Sequence, residues 1–367
     1  MSVRPLTIGE VEQAAEAVLP PETWDFVSGG SEAEVTLRAN RAAFDRVALT
    51  PRVLTGVAAP DTSARLLGTD MTLPLAVAPI AYHRLYHPEG ELAVARAAKT
   101  LGVPLTVATL SSHRLEDVAA VGGPLWFQLY WLRDRGQITD LLRRAEALDY
   151  RCVMLTVDCP PYGRRLRDVR NGFRLPHDVV AANLADPHRH VARAGEPGAA
   201  SAIASHTDAI MHPALSWSDV AWVRDNTRLP LVLKGVLDPR DAVLAVEHGA
   251  DAVVVSNHGG RQFDGAPTGV AALPGVAEAV AGRCEILVDG GVRRGTDMLK
   301  ALALGADGVL VGRPVMWGLA ADGERGVETV LTIVREEFTN ALALTGCPGP
   351  AAARDLRVTL AQEDRPW

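Results

Sequence analysis

The sequence predicts an α/β protein built as a (β/α)8 barrel, and three observations carry that prediction. Eight short apolar runs recur along the chain, at 73–80, 104–109, 125–130, 152–158, 231–236, 252–256, 285–289 and 308–311. Each is nearly continuously apolar, the pattern of a parallel strand covered on both faces. Amphipathic stretches separate them, such as ELAVARAAKTLG, QITDLLRRAEALDY and GTDMLKALALGAD, and several stop at a glycine that ends a helix and feeds the next strand. Strand–helix alternation of this kind closes into a barrel. A doubly wound open sheet shares the local pattern, but the chain has neither G-x-G-x-x-G nor a P-loop.

The remaining elements follow in chain order. Residues 1–72 precede the first strand as a helical extension, with helices expected at 8–18 and 22–27, split by Pro20-Pro21 and stopped at Gly29-Gly30. The barrel occupies 73–345. Within it, 175–207 interrupts the alternation after the fourth strand with little periodicity, and is expected to be a mobile active-site cover. Residues 346–367 form a C-terminal tail. Barrels of this length fold as one unit, so the 367 residues are read as a single domain.

Charge and cysteine usage exclude several classes of function. With 37 Lys and Arg against 44 Asp and Glu, the net charge of −7 argues against a nucleic-acid partner, which needs clustered cations. No apolar run approaches the roughly 20 residues that span a bilayer, and the start MSVRPLTIGEVEQ lacks a signal-peptide core, so no membrane partner is expected. Cys152, Cys159, Cys284 and Cys347 form no C-x-x-C pair, which suits a reducing, cytoplasmic setting.

In such a barrel, polar residues at the C-terminal ends of the strands face the active site. Here those ends carry Gln128 and Tyr130, Thr156 and Asp158, Lys234, Ser256 with His258, Asp289, and Gly312-Arg313. Satisfied core polar groups would explain one such residue but explain six successive strand ends poorly. Lys234 sits in the apolar run PLVLKGV, where a charge is costly unless paired or used; the other two lysines, Lys99 and Lys300, lie in helical patterns and read as solvated. The turns DGGVRRG and GRP follow the last two strands, the usual place for a phosphate, with Arg293 and Arg313 as charge donors; two plain glycine turns are the alternative. His258 is the candidate acid–base group, Asp158 its carboxylate partner, and Arg165 and Arg261 candidates to bind a carboxylate in bidentate fashion. His83-x-x-x-His87 has metal-like spacing, but Pro88 follows at once and no carboxylate partner is evident, so no metal is expected. Without G-x-S-x-G, a serine hydrolase is not expected either.

These residues stand in motifs that resemble the FMN-dependent 2-hydroxy acid oxidase and dehydrogenase family, which includes glycolate oxidase, lactate oxidase and mandelate dehydrogenase. SNHGGRQ at 256–262 resembles its signature, and VAPIA, HPEGE, FQLYWLRDR, LTVDCP, GRRLRDVRNGF, LKGV, DGGVRRGTD and VGRPV follow the family order over nearly the whole chain. The resemblance implies FMN as cofactor, a small 2-hydroxy acid as substrate, O2 as electron acceptor and a homotetramer. It makes His258 the base at the substrate α-carbon with Asp158 beside it, and Arg165 and Arg261 the grip on the carboxylate. Tyr130 would bond the substrate oxygen, and Lys234 would lie by the flavin N1–C2 carbonyl. Ala78, Pro79, Ile80, Thr109, Gln128, Thr156 and Ser256 would meet the flavin ring, and Asp289, Gly291, Arg293, Gly312 and Arg313 the ribityl chain and phosphate.

One position departs from the commoner pattern. Phe26, in TWDFVSGG, stands where many members have a tyrosine that bonds the substrate carboxylate. With Tyr82 and Leu110 after the first two strands, this favours an aryl acid of the mandelate or 4-hydroxymandelate type. The alternatives are a short-chain glycolate or lactate oxidase, a quinone-linked dehydrogenase, a flavin barrel acting on a phosphorylated substrate, and a non-catalytic flavin-binding barrel.

Overall fold

The computed structural model describes residues 4–159, 161–184 and 210–361. The N-terminal extension begins with helix α1 (Ile8–Val18), whose first turn is capped by Thr7 Oγ1 accepting from the Glu10 amide. Ile8, Val11 and Ala15 recur at helical spacing and are its buried face. Helix α2 (Pro21–Ser28) starts on a proline, whose missing amide hydrogen costs nothing in a first turn. A third helix, α3 (Val35–Asp45), is not legible in the sequence: it follows Glu34 in the left-handed region, and half of what it buries is polar, Thr36 and Asn40. Strand β1 (Val47–Thr50) and the hairpin β2 (Ala64–Leu66) and β3 (Thr69–Met71) complete the extension.

The expected eight strands are present: β4 (Leu75–Val77), β5 (Leu105–Ala108), β6 (Leu125–Leu129), β7 (Val153–Thr156), β8 (Leu231–Val236), β9 (Ala252–Val255), β10 (Glu285–Val288) and β11 (Gly308–Val311). They close into a parallel barrel in the order β10-β11-β4-β5-β6-β7-β8-β9. Most are shorter than their apolar runs because the last residues of those runs leave the ladder; Ala78, Pro79, Ile80, Tyr130 and Asp289 then reach the cavity above it. At β4 the cause is explicit, since Pro79 has no amide hydrogen with which to continue the pairing.

The barrel is filled by inward residues including Ala76, Trp126, Met154, Val232, Val254, Leu287 and Leu310, packed in one cluster with Leu66, Leu67 and Met71 from the β2–β3 hairpin. The hairpin therefore plugs the N-terminal mouth, fixed by Trp126 Nε1 donating to Thr69 Oγ1 and the Leu67 amide donating to Glu285 Oε2. Only the C-terminal mouth is left for a site.

Of the expected C-terminal tail, residues 346–361 are described and carry regular structure. Beyond a 3-10 turn at Pro350–Asp355, β12 (Arg357–Leu360) pairs antiparallel with β1. Lys300 is not a solvated helix residue; it is half-buried and donates to Phe44 O at 2.8 Å, tying the barrel to α3. Of the expected cover at 175–207, residues 185–207 lie outside the described residues.

Candidate active site

A cavity of about 1040 Å³, counted to its open mouth, lies at the C-terminal ends of the strands. Its wall includes Phe26, Ala78, Pro79, Ile80, Tyr82, Leu110, Tyr130, Arg165, Lys234 and His258. Arg261, Asp289, Gly291, Arg293, Gly312 and Arg313 complete the set of predicted residues that line it. Thr109, Gln128, Thr156, Ser256 and Asp158 do not line it; they stand behind those that do.

The acid–base pair forms as the sequence suggests. His258 Nδ1 lies 2.9 Å from Asp158 Oδ1, across a step of 100 residues. His258 is in the left-handed region (φ 58°) and its amide donates to Ser256 Oγ, so the turn after β9 aims the ring. Gly235 makes room for the partner. At φ 112°, its missing Cβ would sit 2.6 Å from Asp158 Cβ, so any side chain there would push the carboxylate away from the imidazole. Burial alone would raise the Asp158 carboxyl, but His258 and Lys234 outweigh it and hold the group below its ordinary value. Asp158 is thus an anion beside the imidazole.

Lys234 is buried on β8 and is paired, as its setting demanded. Its Nζ lies 2.9 Å from both Asp289 Oδ2 and Ser256 Oγ. Burial works against the charge; Asp289 and Asp158 outweigh it, so the ammonium is retained above its ordinary value. Next to it, Gln128 bridges two strands: its Oε1 accepts from the Thr109 amide and its Nε2 donates to Thr156 Oγ1. Thr109 Oγ1 donates to Gln128 O and accepts from the Tyr130 amide, which fixes where the Tyr130 ring leaves β6. Burial drives the Tyr130 hydroxyl well above its usual range, so it stays a donor at neutral pH.

The arginines are anchored by backbone. Arg261 Nη1 donates to Phe26 O at 2.7 Å and Gly29 O at 2.9 Å. Arg313 donates to Val27 O, Gly29 O and Gly259 O, each at 3.0 Å. Both therefore sit at the carbonyl end of α2, where the helix dipole favours cations. Arg293 lies half-buried over the Trp317 ring, 4.8 Å from its centroid, and desolvation lowers it to about 10. Burial and the neighbouring arginines lower Arg313 well below its ordinary value.

These features fit FMN. Arg293 and Arg313 are half-buried cations on one cavity wall, and a phosphate there would offset the cost of desolvating them. Gly291 (φ 87°) backs onto α3 so closely that a Cβ would collide with Asn40 O, so only glycine lets this turn close against the helix beside the two arginines. Asp289 Oδ1 is buried without a hydrogen-bond partner among the described residues, an acceptor suited to a ribityl hydroxyl. A model of FMN-dependent dehydrogenase matches residues 15–359. The chain belongs to the FMN-dependent dehydrogenase family. Its cofactor is FMN, and the (β/α)8 barrel is the family's fold.

Individual relatives agree with this. The chain is 52% identical over 356 residues to 4-hydroxymandelate oxidase of Amycolatopsis orientalis, covering 97% of this chain and 98% of that protein. It is 43% identical over 349 residues to human 2-hydroxyacid oxidase 1, covering 95% and 94%. The crystal structure of mandelate oxidase with (S)-4-hydroxymandelic acid superposes with a TM-score of 0.94 at 52% identity, covering 97% of this chain and 99% of that one.

Several site residues are not evident from the sequence. Tyr86, Tyr162 and Met211 line the cavity, but each lies in a connection rather than at a strand end. Asn40 and Asn257 exchange amide hydrogen bonds of 2.9 and 2.8 Å, joining α3 to the histidine turn. Cys159 Sγ lies 3.9 Å from His258 Nδ1. Among the described residues, the grouping of metal-type donors is Asp158, Cys159 and His258, which contains the His258–Asp158 pair; His83 and His87 belong to none. No described helix is long and apolar enough to cross a membrane.

Proposed function

We propose that this enzyme oxidises an (S)-2-hydroxy acid with an aryl side chain, of the mandelate or 4-hydroxymandelate type, to the 2-oxo acid, with O2 reduced to H2O2. One observation carries the aryl assignment. Of the five tyrosines in the chain, four (Tyr82, Tyr86, Tyr130 and Tyr162) line this single cavity, together with Phe26 and Leu110. In a chain that is only 5% aromatic, that concentration suits a ring.

The division of labour follows from the geometry. Arg165 and Arg261 offer planar forks to the substrate carboxylate. With Nδ1–H donated to Asp158, the His258 Nε2 lone pair takes the proton, and the Asp158 charge stabilises the resulting imidazolium. Tyr130, kept neutral by burial, donates a hydrogen bond to the substrate's α-oxygen as it becomes a carbonyl. Lys234 holds a positive charge beside the place where negative charge arrives. Bound FMN supplies acceptance of two electrons and their delivery to O2. The atoms balance as R–CH(OH)–COO⁻ plus O2 giving R–CO–COO⁻ plus H2O2.

Anaerobic mixing of the yellow holoenzyme with (S)-mandelate, (S)-4-hydroxymandelate, glycolate and L-lactate tests the reading. Flavin bleaching should be fastest with the aryl acids, and air should restore the colour with release of peroxide. Faster bleaching by glycolate or lactate would overturn the aryl assignment, and no bleaching by any acid would leave a flavin-binding barrel. A cytoplasmic setting, supported by four free cysteines, and a homotetrameric assembly, which rests on the family resemblance, complete the proposal; light scattering that gave a monomer would refute the assembly.

A further inference from the structure

Arg165 and Arg261 face one cavity but are held in different ways. Arg261 is fixed by two carbonyl oxygens at 2.7 and 2.9 Å. Arg165 is 6% exposed, yet its Nε has no hydrogen-bond partner among the described residues. Its guanidinium lies instead over the Tyr162 ring, with Cζ 4.0 Å from the centroid, and 5.9 Å from the centroid of Phe26. The shorter distance is face contact, the geometry in which a ring quadrupole attracts a planar cation.

We propose that Tyr162 is a positioning residue: its ring fixes the guanidinium plane of Arg165 so that the fork meets the substrate carboxylate. The inference rests on the reading that Arg165 grips that carboxylate. Its physical logic is that of an anchor that uses no donors. A carboxylate partner would occupy the N–H groups and cancel the charge, leaving little for the substrate. An aromatic face steadies the cation from the side and leaves all five N–H donors unspent. Something must steady it, because burial and the nearby Arg261 both disfavour the charge at this place. Asp168 lies within electrostatic reach, but among the described residues no hydrogen bond or ion pair joins it to Arg165.

The test is ligand binding to the oxidised holoenzyme, followed by the change in flavin absorbance, with benzoylformate as the charged probe and mandelamide as the neutral one. Tyr162→Leu should weaken benzoylformate by about tenfold, within the range for a desolvated cation–ring contact, and leave mandelamide within about twofold. Tyr162→Phe should bind both as wild type does. In turnover of (S)-mandelate, Tyr162→Leu should raise KM more than it lowers kcat. FMN content and melting temperature control for misfolding. Equal loss of both probes in Tyr162→Leu would make the ring a plain wall, and no loss of either would leave the stack without a role. Arg165→Met separates this inference from its premise. If that variant binds benzoylformate normally, the carboxylate assignment of Arg165 fails; if it binds weakly while Tyr162→Leu does not, only the role of Tyr162 fails.

Discussion

Replacing Asp158 by asparagine removes one charge while keeping a hydrogen-bond acceptor of nearly the same shape, so it isolates the electrostatic part of the base. In the wild type the carboxylate lies 2.9 Å from His258 Nδ1, and both side chains are mostly buried. At roughly 4 Å between charge centres and an effective dielectric of about 20, the attraction between carboxylate and imidazolium is on the order of 4 kcal/mol. That energy is absent while the imidazole is neutral and appears as it takes the substrate proton, so it belongs to the transition state. Residual solvent access reduces it, and a range of about 2–4 kcal/mol corresponds to a rate loss of roughly 30- to 1000-fold. The assay is anaerobic stopped-flow reduction of the flavin by saturating (S)-mandelate. Benzoylformate affinity should hold steady, because the carboxylate grip is elsewhere. A variant carrying a full complement of FMN and reduced within about threefold of the wild-type rate would refute the argument.

Phe26→Tyr restores a phenol next to Arg165 and Arg261, and should raise kcat/KM for glycolate more than for (S)-mandelate, narrowing the ratio by about tenfold, the value of one hydrogen bond to a charged group; an unchanged ratio counts against a substrate contact at this position. Gly291→Ala places a methyl group against Asn40 O and strains a φ of 87°, so the purified protein should lose most of its FMN by absorbance while staying folded by circular dichroism; full occupancy would contradict the cradle. Glu91 is buried with His113 Nδ1 and the Ser112 amide on its oxygens. Burial alone would raise this carboxyl, but His83, His113 and Ser112 outweigh it and bring it to about 2. A lowered folded value stabilises above the unfolded value, so Glu91→Gln should cost about 3 kcal/mol at pH 7. In denaturant titrations that deficit should shrink as pH falls from about 4.5 toward 2; a deficit constant across this window would mean the carboxylate charge is not what stabilises.

The barrel strands were legible because parallel strands covered on both faces leave continuous apolar runs, which neither helices nor loops imitate over so many repeats. The residues at strand ends were legible for the same reason, since a polar group at the end of an apolar run stands out, as Lys234 does in PLVLKGV. Helix α3 was hidden because its buried face includes Thr36 and Asn40, whose partners are remote: Thr36 meets Asp264 and Gly265, and Asn40 meets Asn257. The pairing of β1 with β12 joins segments some 310 residues apart, and Arg357 and Leu360 at its ends are exposed, so no hydrophobic pattern announces it. Tyr162 was not legible because its contact with Arg165 depends on a ring face lying against a neighbour, which no spacing encodes.

Arg261 and Arg313 donate their hydrogen bonds at the end of α2 to main-chain oxygens of residues 26, 27 and 29, not to side chains. Contacts of that kind are indifferent to the letters at those positions. The phenylalanine at position 26 can give way to another residue while the oxygen that holds Arg261 stays where it is. Under the proposed function, selection can therefore edit the wall that would meet the substrate while the main-chain hydrogen bonds that mount Arg261 stay in place. Specificity and anchorage, which share a single residue, are free to change separately.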